Sequence, residues 1–265
     1  MRIARGISIA NTSKPVGITY DADAVAFFTA ASITDTTQKN AVNQLVLDLK
    51  SASIWTKMKA LYPVVGGVAS SHAVNLKTPG TYNLTFATGW THSSSTGMTP
   101  NGATYADTGL APTAMALNSI HGSVYLRLNN QIDGPCFSTE IASTYNNGFY
   151  LFPKQTGFGN YSVRINDNTS DQAINSNNIQ GLNIITRTAS NLKKYRIKTT
   201  QVFSSTTIST SQNTDTIYIA KARNNTLYYT NSFAFLSFGD GLTDAECNNL
   251  NTAVQTYQTT LGRQV

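Results

Sequence analysis

Between Asp21 and Tyr62 apolar residues recur at helical spacing. Ala24, Phe27, Phe28 and Ala31 share one face, and Val42, Leu45, Val46 and Leu49 share another, which predicts two amphipathic helices. Thr34 and Asp35 stand ahead of the second as caps for its orphan N–H groups, and Gln38 lies at capping-box distance from Asp35. Ile54, Trp55, Met58 and Leu61 continue the period and predict a third short helix, which Pro63 and the Gly66-Gly67 pair end.

From Tyr82 to Phe238 the period shortens to two. Runs of alternating apolar and polar residues, separated by Asn, Gly, Asp and Ser clusters, predict antiparallel strands at Ser123 to Leu128, Gly148 to Phe152, Tyr161 to Ile165, Leu182 to Thr186, Tyr195 to Val202, Ile217 to Ala220 and Ser232 to Phe238. So many half-apolar strands bury their inner faces by stacking two sheets, so the fold class is all-β, a two-sheet sandwich. No internal repeat points to a propeller or solenoid. The tail turns helical again: Thr243 is an N-cap, Glu246 completes its capping box, and Leu242 staples onto Cys247. Cys247, Leu250, Val254, Tyr257 and Leu261 mark the buried face, and Gly262 ends the helix. The reading divides the chain into an N-terminal arm (1–20, with a short alternation at Ile3, Ile7 and Ile9), a helical attachment region (21–67), and a sandwich with its C-terminal helix (68–265).

Composition fits strands with a neutral surface. Thr, Asn and Ser supply about a third of the 265 residues and charged residues only 12%, half the share of ordinary soluble domains. The net charge of +6 reflects 13 acids against 19 bases. It comes from scarce acids rather than from a basic patch. Only Lys193, Lys194, Arg196 and Lys198 cluster, and on a strand positions 194, 196 and 198 share a solvated outer face, with an anion contact as the alternative. Nucleic acid is therefore not an expected partner. Cys136 and Cys247 read as buried thiols. The N-terminus has no apolar signal segment, and no apolar run approaches the ~18 residues of a membrane span.

Catalytic patterns are missing. Glycosidases on sandwich folds need two facing carboxylates, and the two glutamates, Glu140 and Glu246, offer none: Glu246 is committed to the cap and Glu140 has no acid two residues away. His72, His92 and His121 are dispersed, and neither a G-x-S-x-G elbow nor a phosphate loop occurs. Three clusters remain. Asp167, Asn168 and Asp171 are oxygen ligands of the kind calcium takes, against the plainer reading of a hairpin turn. Trp90, His92, Tyr105 and Asp107 combine aromatic platforms with polar groups, as a glycan site does, against the alternative of a buried core. Tyr145, Phe149, Tyr150, Tyr228 and Tyr229 share that ambiguity, tilted further toward the core. Trp55, Met58 and Leu61 form a stripe that either packs on its own domain or makes an assembly contact.

Three blocks carry a family resemblance: Asp21 to Gly67, ending SASIWTKMKALYPVVGG; GWTHSSSTGMTPNGATYADT, Gly89 to Thr108; and FGDGLTDAECNNLNTAVQTYQTTLG, Phe238 to Gly262. Covering about a third of the chain, they resemble structural proteins of phages of Bacteroidetes hosts, whose body looks like a concanavalin-type or laminin-G-like jelly roll. The resemblance implies a virion location and a sandwich fold and carries over no catalytic residues; the expected protein is a head fibre, decoration or tail-associated component that assembles with other virion proteins and forms a homo-oligomer. The expected function is structural and non-enzymatic. The alternative is an adhesion module that binds host-surface glycan; a polysaccharide depolymerase ranks last. A neutral surface without a signal segment agrees with a protein made in the host cytoplasm and released inside a particle.

Overall fold

The computed structural model describes residues 19–139, 147–156, 159–174, 177–222 and 226–265. Residues 1–18 of the arm, with Ile3, Ile7 and Ile9, lie outside the described residues, as do Glu140 and Tyr145. Two antiparallel sheets make the body. One runs in the order β13 (Thr200–Ser205), β12 (Leu192–Ile197), β11 (Gly181–Ala189), β6 (Ile120–Leu126), β15 (Phe233–Gly239), β4 (Gly97–Pro100), β3 (Trp90–Ser93), with β1 (Met58–Tyr62) also paired to β15. The other runs β10 (Asp171–Ile174), β9 (Asn160–Asp167), β8 (Gly148–Phe152), β7 (Phe137–Ser138), β14 (Tyr218–Ile219), β5 (Ala106–Asp107), β2 (Thr85–Phe86). The expected sandwich forms, with aromatic rings crossing its middle: Phe238 of the first sheet meets Phe137 of the second at 5.1 Å between centroids.

A third layer explains why strand alternation fades in the first sheet. Every residue of β6 and β15 is buried. Val124 and Leu236 point between the sheets, whereas their neighbours Tyr125 and Phe235 point outward into a second core. There they meet the helices α1 (Ala22–Ala30), α2 (Thr36–Ser51) and α4 (Asp244–Thr260). A sheet covered on both faces selects continuous apolar runs rather than alternation. The short helix α3 (Ala69–His72) links β1 to the sandwich loops.

The capping signals hold. Asp35 accepts from Gln38 N at 2.8 Å, although the Gln38 side chain reaches Gly66 N instead of closing the box. Thr243 and Glu246 cap each other's backbone, and Gly262 ends the helix at φ +66°. Cys136 and Cys247 are buried and free. Three expectations change. The predicted helix over 54–61 is a single 3-10 turn followed by β1, because residues 58–62 find a partner in β15, Leu61 opposite Ser237 and Tyr62 opposite Leu236. The helical region and the sandwich thus share one sheet. The run from Tyr195 to Val202 is a tight hairpin, β12 to β13, turning at Lys198 with φ +54°. The face of β12 read as solvated is covered by the start of α4: Lys194 and Arg196 both bond Asp244, at 2.7 and 3.1 Å.

Candidate functional site

Helices cover the outer face of the first sheet, and the outer face of the second carries the site. Its strands keep the alternation. Val163 and Ile165 of β9 go to the core, Ser162 and Arg164 to the outside; Leu151 of β8 goes in, Tyr150 and Phe152 out. These outward residues, with Gln155, Ser170, Gln172 and Leu227, line a pocket of about 160 Å³. Its floor is aromatic and its walls are planar or hydroxylic polar groups. Tyr150 and Phe152 meet edge to face at 5.4 Å, and the Arg164 guanidinium lies 5.6 Å from the Tyr150 ring. A hydroxyl chain orders the wall: Tyr150 donates to Ser170 Oγ at 3.0 Å, Ser170 and Ser162 exchange a 2.9 Å bond, and Gln172 Nε2 donates to Ser170 Oγ at 3.2 Å. An apolar floor with a few fixed polar groups is the build of a small-molecule site. Amides, hydroxyls and a guanidinium are the groups that pair with sugar hydroxyls.

The quartet expected to hold glycan divides between the sheets. Trp90 lies on β3, its indole Nε1 donating to the backbone oxygen of Tyr105 at 3.0 Å and its ring packed against Phe86 and Phe233. These contacts fasten the half-buried indole to its own domain. His92 faces His72 across a 2.9 Å Nδ1 to Nδ1 contact. Histidines dispersed in sequence are thus paired in space. Burial lowers the pKa of both: His92 falls below its ordinary value, and His72, pressed further by His92 and Arg263, goes to about 3. Tyr105 and Asp107 do reach the outer face of the second sheet, where Tyr105 stacks on Tyr218 at 4.4 Å. Of the other aromatics, Phe149 and Tyr229 are core, whereas Tyr150 and Tyr228 border this face.

The residues read as calcium ligands do not fit a cation. Asp167 is fully buried, and its Oδ2 accepts from Arg187 at 2.6 Å and Lys193 at 2.7 Å. Lys193 also pairs with Asp171. With two cations on those carboxylates, a third positive charge meets repulsion. Asn168 is exposed and accepts from Asn147 N at 3.2 Å, which is turn chemistry. Among the described residues no group of three or more His, Cys, Asp or Glu gathers as a metal site would. The stripe of Trp55, Met58 and Leu61 is buried within the chain, at 6%, 1% and 0% exposure, inside the core under the helices. Among the described residues no helix is long and apolar enough to cross a membrane.

Ser162, Arg164, Gln155, Gln172, Phe152 and Leu227 were missed in the sequence. For the first two a signal existed: Tyr161, Val163 and Ile165 alternate with Ser162 and Arg164, so two polar side chains share the outer face of one strand. For Gln155 and Leu227 there was none, since loop closure brings them in.

No protein-family description matches the chain, and no curated protein matches it in sequence. Solved structures do match in shape. A sialidase of Trypanosoma rangeli, solved with 2,3-difluorosialic acid as a covalent intermediate, aligns with a TM-score of 0.52 at 9% identity over 80% of this chain and 38% of that one. The binding domain of Paraclostridial mosquitocidal protein 1 aligns at 0.51, with 14% identity over 77% and 53%. Domain 4 of AbnA, a GH43 extracellular arabinanase from Geobacillus stearothermophilus solved with arabinotriose, aligns at 0.46, with 13% identity over 74% and 98%. This chain therefore spans about half, or less, of the first two. What the likeness shows is the fold: a concanavalin-like jelly-roll sandwich with helices added at both ends.

Proposed function

We propose that this chain is a non-catalytic carbohydrate-binding module, carried on a phage particle. The observation that supports the first half is the pocket on the helix-free sheet face, where Tyr150 and Phe152 lie beneath Gln155, Ser162, Arg164, Ser170 and Gln172. A sugar ring presents apolar C–H faces and a rim of hydroxyls, and this mixture answers both. The non-catalytic part of the reading is supported by the lining of this pocket, which among the described residues holds no carboxylate, and by Glu246, which is held by Lys57 and the Thr243 cap. The phage setting rests on the resemblance of the three sequence blocks.

A glycan array tests the module. Wild-type protein binds a subset of bacterial glycans, and the Gln155→Ala/Gln172→Ala double variant, altered only at the pocket rim, loses at least tenfold in affinity. No binding by wild type at millimolar sugar would remove the reading. Mass spectrometry of purified particles tests the setting, and absence of the chain would refute it. A reducing-end assay on capsular polysaccharide tests the depolymerase alternative, and product formation would replace a binding role with an enzymatic one.

A further inference from the structure

The pocket shares its sheet face with a second aromatic cluster. Register runs straight across the strands: Asp107 stands opposite Tyr218, Tyr218 opposite Ser138, Ser138 opposite Tyr150, and Tyr150 opposite Arg164. Tyr218 and Tyr150 are therefore two strand spacings apart on one face, about 10 Å. Between them the chain forms a ridge. Ser138 is fully buried and donates to the backbone oxygen of Lys221 at 2.8 Å, and Lys221 pairs in turn with Tyr228. Leu227 lines the pocket on one flank of this ridge. Lys221 and Tyr228 belong to the other flank, where the Lys221 ammonium lies 5.2 Å from the Tyr105 ring and 5.3 Å from the Tyr228 ring. Tyr105 stacks on Tyr218 with only 13° between the ring planes. All four side chains are half-buried rather than sealed.

We infer that the sheet face takes an oligosaccharide chain rather than a single sugar, with a second subsite made by Tyr105, Tyr218, Lys221 and Tyr228. The inference rests on the carbohydrate reading of the pocket and deepens it. Cross-strand packing accounts for a tyrosine pair. It does not require an ammonium and three phenols to be left half-exposed in register with a polar pocket. Two strand spacings, about 10 Å, equal roughly two repeats of a pyranose chain, so a chain of three or more rings lying across the ridge contacts both flanks, whereas a disaccharide seated in the pocket does not reach the second. The Tyr105 and Tyr228 hydroxyls and the Lys221 ammonium are donor groups for sugar hydroxyls, and the tyrosine rings supply apolar surface for C–H contact.

The test is chain length. Isothermal titration is run with size-fractionated di-, tetra- and hexasaccharides from partially hydrolysed capsular polysaccharide of the bacterial strain giving the strongest array signal. Wild type is expected to bind the hexasaccharide at least tenfold more tightly than the disaccharide. Tyr218→Ala and, separately, Lys221→Ala are expected to abolish that gain and leave disaccharide affinity within twofold. Lys221→Ala keeps the test open if Tyr218→Ala folds poorly, because the ridge is held by the Lys221 backbone. Equal affinity for all lengths, or both variants retaining the gain, would overturn the second subsite while leaving the pocket standing. No binding at any length would sink the carbohydrate reading and this inference with it.

Discussion

His72 and His92 meet through their Nδ1 atoms at 2.9 Å, joining α3 to β3. Gly67 N donates to His72 Nε2 at 3.3 Å, which assigns the protons. His72 Nε2 must be bare, so its Nδ1–H donates to a bare Nδ1 on His92. Protonating His92 would set two N–H groups against each other, and Arg263 also disfavours charge on His72.

Acid should therefore loosen the fold early. The folded pKa of His72 is about 3 and that of His121, buried against Asp240 O and Ser237, about 4; unfolded histidine sits near 6.5. Between those values the unfolded chain binds more protons, so stability is fully present above pH ~6.5 and falls as pH drops toward the folded pKa values. Each of these two histidines adds a slope of up to about 1.4 kcal/mol per pH unit. Urea unfolding at pH 7 and pH 5 should show the loss, and His72→Gln should flatten it. An unchanged midpoint between those pH values would contradict the assignment.

Asp167 is indispensable for a reason that register makes plain. Arg187 and Lys193 stand directly opposite each other on β11 and β12, both buried. Like charges so placed repel, and the Asp167 carboxylate between them turns the repulsion into two hydrogen-bonded ion pairs, with Asp171 adding a further ion pair to Lys193. Asp167→Ala leaves two buried cations sharing one acid and should cost about 3–5 kcal/mol in chemical denaturation. Adding millimolar calcium to wild type should leave Tm unchanged; a calcium-dependent rise would restore the metal reading.

What the sequence disclosed follows from how local each signal is. The Thr243–Glu246 box, the Asp35 cap and the alternation at Tyr161, Val163 and Ile165 act within a few residues, and all stand in the structure. Trp55 to Leu61 was misread because a short apolar run fits helix or strand equally, and the deciding partner, β15, lies far along the chain. The site was half legible for the same reason. Tyr105 and Asp107 were readable as glycan candidates in a loop of turn residues, whereas Tyr150 and Tyr228 read more as core; only strand pairing separates Trp90 from the first two, and only sheet register aligns Tyr218 with Tyr150. The Asp167 cluster shows the converse: its ligand-like spacing was real, yet Arg187 and Lys193, remote from any metal pattern, decide what its carboxylates do.

Arg263 ties the C-terminus to the sandwich, and its loss should be felt across the whole fold. The side chain is fully buried with no carboxylate partner in its hydrogen bonds. Instead its planar fork donates to Gln258 Oε1 at 2.8 Å, Val64 O at 2.7 Å, Pro63 O at 3.2 Å and Ala234 O at 3.1 Å. Val64 holds a left-handed φ of +55°, costly for a β-branched residue, and the bond to its carbonyl helps hold it there. Arg263→Ala should strip several buried acceptors at once, costing on the order of 3 kcal/mol or more. Arg263→Lys should not rescue it, since an ammonium cannot serve the same spread of acceptors as a guanidinium fork. Urea unfolding of both variants checks this; a Lys variant as stable as wild type would show that charge alone, rather than the fork, secures the end of the chain.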